Sequence, residues 1–321
     1  MRRGVDLTQY AAAARKRTHV AAILILGLMP ITILGVTFLL DSNMYMVGSL
    51  LIVIYTMIPF FMVFERRKPR AREIVLIAMM TALTAVIHMF FHITVPIQAG
   101  TAMVIISGIS LGPEAGFLIG ALGRFVCNFY MGQGPWTPWQ MFCWGLLGFL
   151  AGLAFNKIDY AEIRNRTFRD SLASRSFRIV MGPVLCIVFA MAAAYISYLL
   201  VPGEDNTFFG WRVYLFGAFG LLAGVLLQRK RMPADGLTMA LFTFFTVLII
   251  YGGIMNMCAM VTSSMRPGGE PISWETLRLL YISGLPYDLS HAATAGIFVF
   301  LFGDVFIKKL ERIKIKYGIY R

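Results

Sequence analysis

The chain has 321 residues, 58% of them apolar and 14% charged, with a mean hydropathy of +0.73 and a formal net charge of +13. That apolar share is far above a soluble domain's and reads as a polytopic membrane protein. The basic residues stand in short blocks between apolar runs, as cytoplasmic membrane loops do, which argues against nucleic acid as a partner.

In chain order, apolar runs between charged or Pro/Gly breaks predict spans near 20–40, 44–64, 73–93, 98–112, 115–131, 138–155, 179–201, 211–227, 237–261 and 283–306. The expectation is an all-α integral membrane protein of about ten helices, each near the roughly 20 residues that cross the hydrocarbon core. The first run follows Arg2, Arg3, Arg15, Lys16 and Arg17 but is long and directly followed by a second, so it reads as a retained span rather than a signal peptide. The run at 98–112 is short for a crossing, which leaves a tilted or partly re-entrant segment open. The basic blocks 66–72, 157–178, 228–235 and 308–321 fall on the side of the basic N-terminus, whereas the opposite loops hold a single Arg and no Lys. By the positive-inside rule both termini are cytoplasmic, and the turn "NFYMGQGPWTPWQMF" (128–142) faces outward. Residues 139–157 and 211–229 align without gaps as a faint internal repeat.

No P-loop, HExxH, GxSxG or dinucleotide fingerprint is present, so the chain reads as a non-enzyme without an ATPase of its own. Cys127, Cys143, Cys186 and Cys258 lie inside apolar runs without metal-ligand spacing, and no metal site is expected. Asp288 and His291 share a helix face, as a structural pair or as a metal or proton site. Arg124, inside an apolar run, must face a polar cavity or partner, because a charge in hydrocarbon costs at least ~2.5–3.5 kcal/mol. Asn128 lies one turn further out on the same face, and with Gln133 and Gln140 it gives an amide-rich rim. Pro135 and Pro138 stiffen the turn, while Trp136 and Trp139 offer flat contact surfaces. Two readings of the turn stand: an interfacial aromatic belt, or a mouth that stacks on a planar ligand. Ala78, Ala82 and Ala85 make one smooth helix face, suited to packing within the bundle or against another chain. Gly116/Gly120, Gly148/Gly152 and Gly220/Gly224 read as internal helix packing.

The segment "LGPEAGFLIGALGRFVCNFYMGQGPWTPWQMFCWGLLGFLAGLAF" resembles the substrate-binding S component of energy-coupling factor (ECF) vitamin transporters. The helix with Ala78 and Ala82, the run "YGGIMNM" around Asn256 and the tail from Gly284 fit the same family, so that about half the chain is covered. The resemblance implies a six-helix membrane protein that captures a micronutrient from outside and works with a transmembrane T component and two cytoplasmic ATPases, which use the ATP. It further implies that Ala78, Ala82 and Ala85 dock on the T component. The expected layout is a basic N-terminus with two additional helices (1–71), four core helices (72–157), a cytoplasmic loop with an inserted helix pair (158–235), and two core helices with a basic tail (236–321). Expected ligand contacts are Asn128, Gln133, Trp136, Trp139, Gln140, Asn256 and Asp288, with Arg124 and His291 in a buried polar network. The ligand stays open among vitamins and their precursors, cobalamin-like compounds included. A self-sufficient ion-coupled transporter using Arg124, Asp288 and His291, and an intramembrane enzyme or assembly factor, are the rival readings.

Overall fold

The computed structural model describes residues 20–29, 31–32, 51, 54–55, 58, 71–94, 97–155, 236–264, 266, 268–317 and 319. The described residues are helical, with no strand among them. Six long helices follow: α1 (Ala71–Thr94), α2 (Ala99–Leu111), α3 (Pro113–Met131), α4 (Thr137–Phe155), α5 (Gly236–Ser264) and α6 (Trp274–Tyr317). Of these, α1, α4, α5 and α6 are long and apolar enough to cross a membrane. The expected spans at 179–201 and 211–227 lie outside the described residues, as does most of 44–64, so the count of about ten is not established. Part of the first expected span is described: Ala21, Ile25 and Met29 pack into the core, while Ile23 and Leu26 face outward.

The segment at 98–112 forms α2, and all thirteen of its residues are buried. At ~20 Å it is shorter than the hydrocarbon core, but it is enclosed by α1, α3, α4 and α6. The enclosure suits its composition, which is apolar all round rather than striped. Gly112, at φ 101°, ends α2 and lets the chain reverse directly into α3, where Pro113 takes the first helical position and Glu114 the first turn.

Glycines set the tightest contact, between α3 and α4. Side-chain carbon at Gly116 or Gly148 would overlap the other's backbone, at Gly120 the Trp144 carbonyl, and at Gly152 Pro113. The two GxxxG pairs therefore act as internal packing, and Gly220/Gly224 lie outside the described residues. Several hydroxyls within the helices are satisfied along their own backbones: Thr81 donates to the Ile77 carbonyl, Ser107 to Met103 and Thr243 to Met239, as an apolar surround favours, whereas Thr84 Oγ1 and Ser110 Oγ have no such partner.

Two elements depart from the simple apolar pattern. Helix α5 carries a π-helical stretch, Thr246–Tyr251, which shifts the face presented by everything after it. Helix α6 runs for 44 residues, ~66 Å, far beyond the expected 283–306. Its start is set by Ser273, whose Oγ accepts the Thr276 N–H at 3.1 Å, with Glu275 in the first turn. At its far end Lys314 Nζ donates to the Ser110 carbonyl at the end of α2 and to Glu311 Oε1, while Arg72 Nη1 donates to the Tyr317 carbonyl at 3.1 Å. Residues 308–317 of the expected basic tail are thus the last three turns of a helix tied to α1 and α2.

Candidate functional site

The turn between α3 and α4 organises the first polar cluster. Gly132, at φ 101°, stops α3, and its N–H donates to the Asn128 carbonyl at 2.9 Å. Thr137 starts α4: its Oγ1 accepts the Gly134 N–H at 3.1 Å and donates to Gln133 Oε1 at 3.0 Å. Trp136 is partly exposed and lies directly over Gly134, where any side chain would overlap its ring. Trp139 is buried.

Beneath this turn the amides meet the buried arginine. Asn128 Nδ2 donates to Gln140 Oε1 at 2.8 Å and to Thr137 Oγ1 at 3.2 Å. Arg124 Nε donates to the same Gln140 oxygen at 3.0 Å, and Arg124 Nη1 to His88 Nε2 on α1 at 3.1 Å. Because the guanidinium has only donors, His88 Nε2 must accept, which places the imidazole hydrogen on Nδ1. Arg124 also lies 5.3 Å from the Trp144 ring centroid, and Trp144 meets His88 edge-on at 4.8 Å. Asn128, Gln133 and Gln140 therefore converge on Arg124 as one network, joined by His88, Thr137 and Trp144, which sequence reasoning did not select.

A second cluster joins α2, α5 and α6. Asn256 Nδ2 donates to Asp288 Oδ2 at 2.9 Å, and the glycines beside them, Gly252 and Gly284, leave room for this pair. Thr101 Oγ1 and His291 Nε2 are 2.9 Å apart, and the Tyr251 ring lies 4.5 Å from that of His291. Asp288 and His291 are thus on one helix but hydrogen-bond to different neighbours, Asn256 and Thr101.

The first turn of α2 lies between the clusters. Gly100 is pressed against the His88 ring, and the next residue, Thr101, contacts His291. Several buried atoms in this interior have no hydrogen-bond partner: His88 Nδ1, Asn128 Oδ1, Gln133 Nε2, Trp144 Nε1 and His291 Nδ1. Each of these atoms has hydrogen-bonding capacity left for a water or a ligand.

The alanine face divides. Ala78 and Ala82 are exposed on α1 among Ile74, Val75, Met79 and Val86, whereas Ala85 is buried beside Cys127. The helix turns about 100° per residue, so a face laid out at i, i+4, i+7 drifts sideways, and Ala85 ends on its inner edge.

Residues 68–205 match the family model described as ECF-type riboflavin transporter, S component. Over these residues the chain is similar to ECF S components. The match takes in α1 to α4, with Ala78, Ala82, His88, Arg124, Asn128 and Gln140, and stops before Asn256, Asp288 and His291. No solved structure matches the chain.

Proposed function

We propose, taking the similarity of residues 68–205 to ECF S components as premise, that the chain is the substrate-binding membrane subunit of an ATP-driven importer. It binds a vitamin or related micronutrient from outside in the interior bounded by α1, α2, α3, α4, α5 and α6. The observation that carries this reading is the buried network Arg124, Gln140, Asn128 and His88, which leaves polar atoms without partners beneath a turn carrying Trp136. An unpaired buried polar atom costs about 1–3 kcal/mol, a cost that a bound polar ligand would relieve.

In this reading the turn from Gly132 to Thr137 is the rim, its Trp136 positioned to cover a planar ligand. Asn128, Gln133, Gln140, Asn256 and Asp288 contact the ligand, while Trp139 supports the rim from below. A flavin is the first candidate, since the matching family is named for riboflavin transport. Ala78 and Ala82 form the surface that meets a T component, with Ala85 setting the spacing behind it. Two ATPases on the cytoplasmic side supply the ATP hydrolysis, both termini lie on that side, and the chain itself performs no covalent chemistry.

Quenching of tryptophan fluorescence in the purified full-length chain tests this, with riboflavin and a panel of vitamins as titrants. Saturable quenching by one compound, weakened at least about tenfold in Trp136→Ala/Trp139→Ala, is the expected result. Absence of saturable binding to any compound, with the protein folded, counts against it.

A further inference from the structure

Arg124 is 7% exposed, and its hydrogen bonds go to two neutral acceptors, Gln140 Oε1 and His88 Nε2. Among the described residues it forms no ion pair, and the carboxylate of the second cluster, Asp288, is held by Asn256. A buried guanidinium without a carboxylate is the arrangement that burial penalises most, unless a counter-charge arrives from elsewhere. The unpartnered atoms around it have a matching bias. His88 Nδ1 carries its hydrogen, Trp144 Nε1 and Gln133 Nε2 are donors, and Arg124 keeps further N–H groups beyond the two it uses. Asn128 Oδ1 is an acceptor, and Thr84 Oγ1, a turn before His88 on α1, can accept or donate. His88 and Trp144 are each 1% exposed and touch Arg124 or lie against it, so the donor excess is local to the guanidinium.

We propose that the ligand of this chain carries an oxyanion, a carboxylate or a phosphate, that binds against Arg124. This rests on the binding-subunit reading above and narrows it to an acidic micronutrient. The planar fork of arginine pairs with two oxygens at once, which neutral acceptors such as Gln140 Oε1 do not exploit. Riboflavin itself is uncharged, so the inference separates this chain's ligand from the vitamin in the family's name. The wall at Asp288 and Asn256 takes the other end of the ligand, where a hydroxyl or N–H donor meets the carboxylate.

The test is isothermal titration of the full-length chain in lipid nanodiscs with matched acid and neutral probes. The pairs are riboflavin 5′-phosphate against riboflavin, biotin against biotinamide, pantothenate against pantothenol, and nicotinate against nicotinamide. One acid is expected to bind at least about tenfold tighter than its neutral counterpart. The flavin pair reports a phosphate and the other three a carboxylate. Arg124→Lys keeps the direction of the preference but weakens it, because the charge remains while the two-oxygen fork is lost. Gln140→Glu supplies an internal counter-ion, so it brings the preference below about twofold while the ligand-free protein melts no lower than wild type. A neutral compound binding as tightly as its acid partner leaves the binding-subunit reading standing and overturns the oxyanion proposal. An acid preference unchanged in both Gln140→Glu and Arg124→Gln overturns it as well. Absence of binding by every probe counts against both.

Discussion

Arg124 Nε and Asn128 Nδ2 donate to the same oxygen, Gln140 Oε1, at 3.0 and 2.8 Å, so one amide on α4 fixes two side chains a helical turn apart on α3. Gln140→Leu would leave both donors without that acceptor inside the bundle. It is expected to destabilise the ligand-free protein by about 1–3 kcal/mol, read as a lower thermal midpoint in detergent, and to weaken ligand binding together with it. Gln140→Glu, by contrast, keeps the acceptor and is expected not to lower the midpoint.

The α3–α4 contact depends on absent side chains. Gly148→Val places branched carbon against the Gly116 backbone and Val104, which the helices can relieve only by separating. A destabilisation of about 1–3 kcal/mol or more is expected, with loss of folded protein in size-exclusion profiles. Gly236→Ala, at a helix start with open space around it, serves as the tolerant control.

Ala78→Leu/Ala82→Leu changes an exposed face and is expected to move the thermal midpoint little, since surface substitutions fall within about 0.5 kcal/mol. Copurification with a T component and the ATPases should nevertheless be lost. Retained copurification would return the alanine face to a lipid-facing role.

Near the end of α6, Lys314 and Glu311 are 2% and 4% exposed and 3.0 Å apart. Lys314→Met leaves the carboxylate buried without its partner, for an expected loss of about 3–5 kcal/mol. The double variant Lys314→Met/Glu311→Leu removes both charges and is expected to recover most of that loss, as a double-mutant cycle on thermal unfolding would show.

What the sequence disclosed depended on range. The expected ends of α1 to α5 lie within three residues of the observed ones because each apolar run is bounded by Gly, Pro or charge. The start of α6 was missed because Glu275 and Arg278 interrupt hydropathy without interrupting a helix, although Ser273 was a readable cap. Its end lies beyond the expected 306 because buried Lys314 and Glu311 hold the start of the basic tail as helix, a pairing that hydropathy does not register. The Asn128–Gln140 contact was within reach since a short turn joins its helices. His88 to Arg124, 36 residues apart, and Thr101 to His291, 190 apart, arise from helix packing that no local pattern encodes. The inward position of Ala85 has the same origin, because only the packing of α1 on α3 decides which edge of an alanine face is covered.

The most direct test of the central claim is mass spectrometry of small molecules released from the full-length protein after gentle purification, compared with Asn128→Ala/Gln140→Ala at equal folded yield. The account expects one low-mass vitamin or precursor, retained near stoichiometrically by the unaltered chain and absent from the variant. No retained compound in either protein after incubation with a vitamin mixture, or equal retention in both, would contradict it.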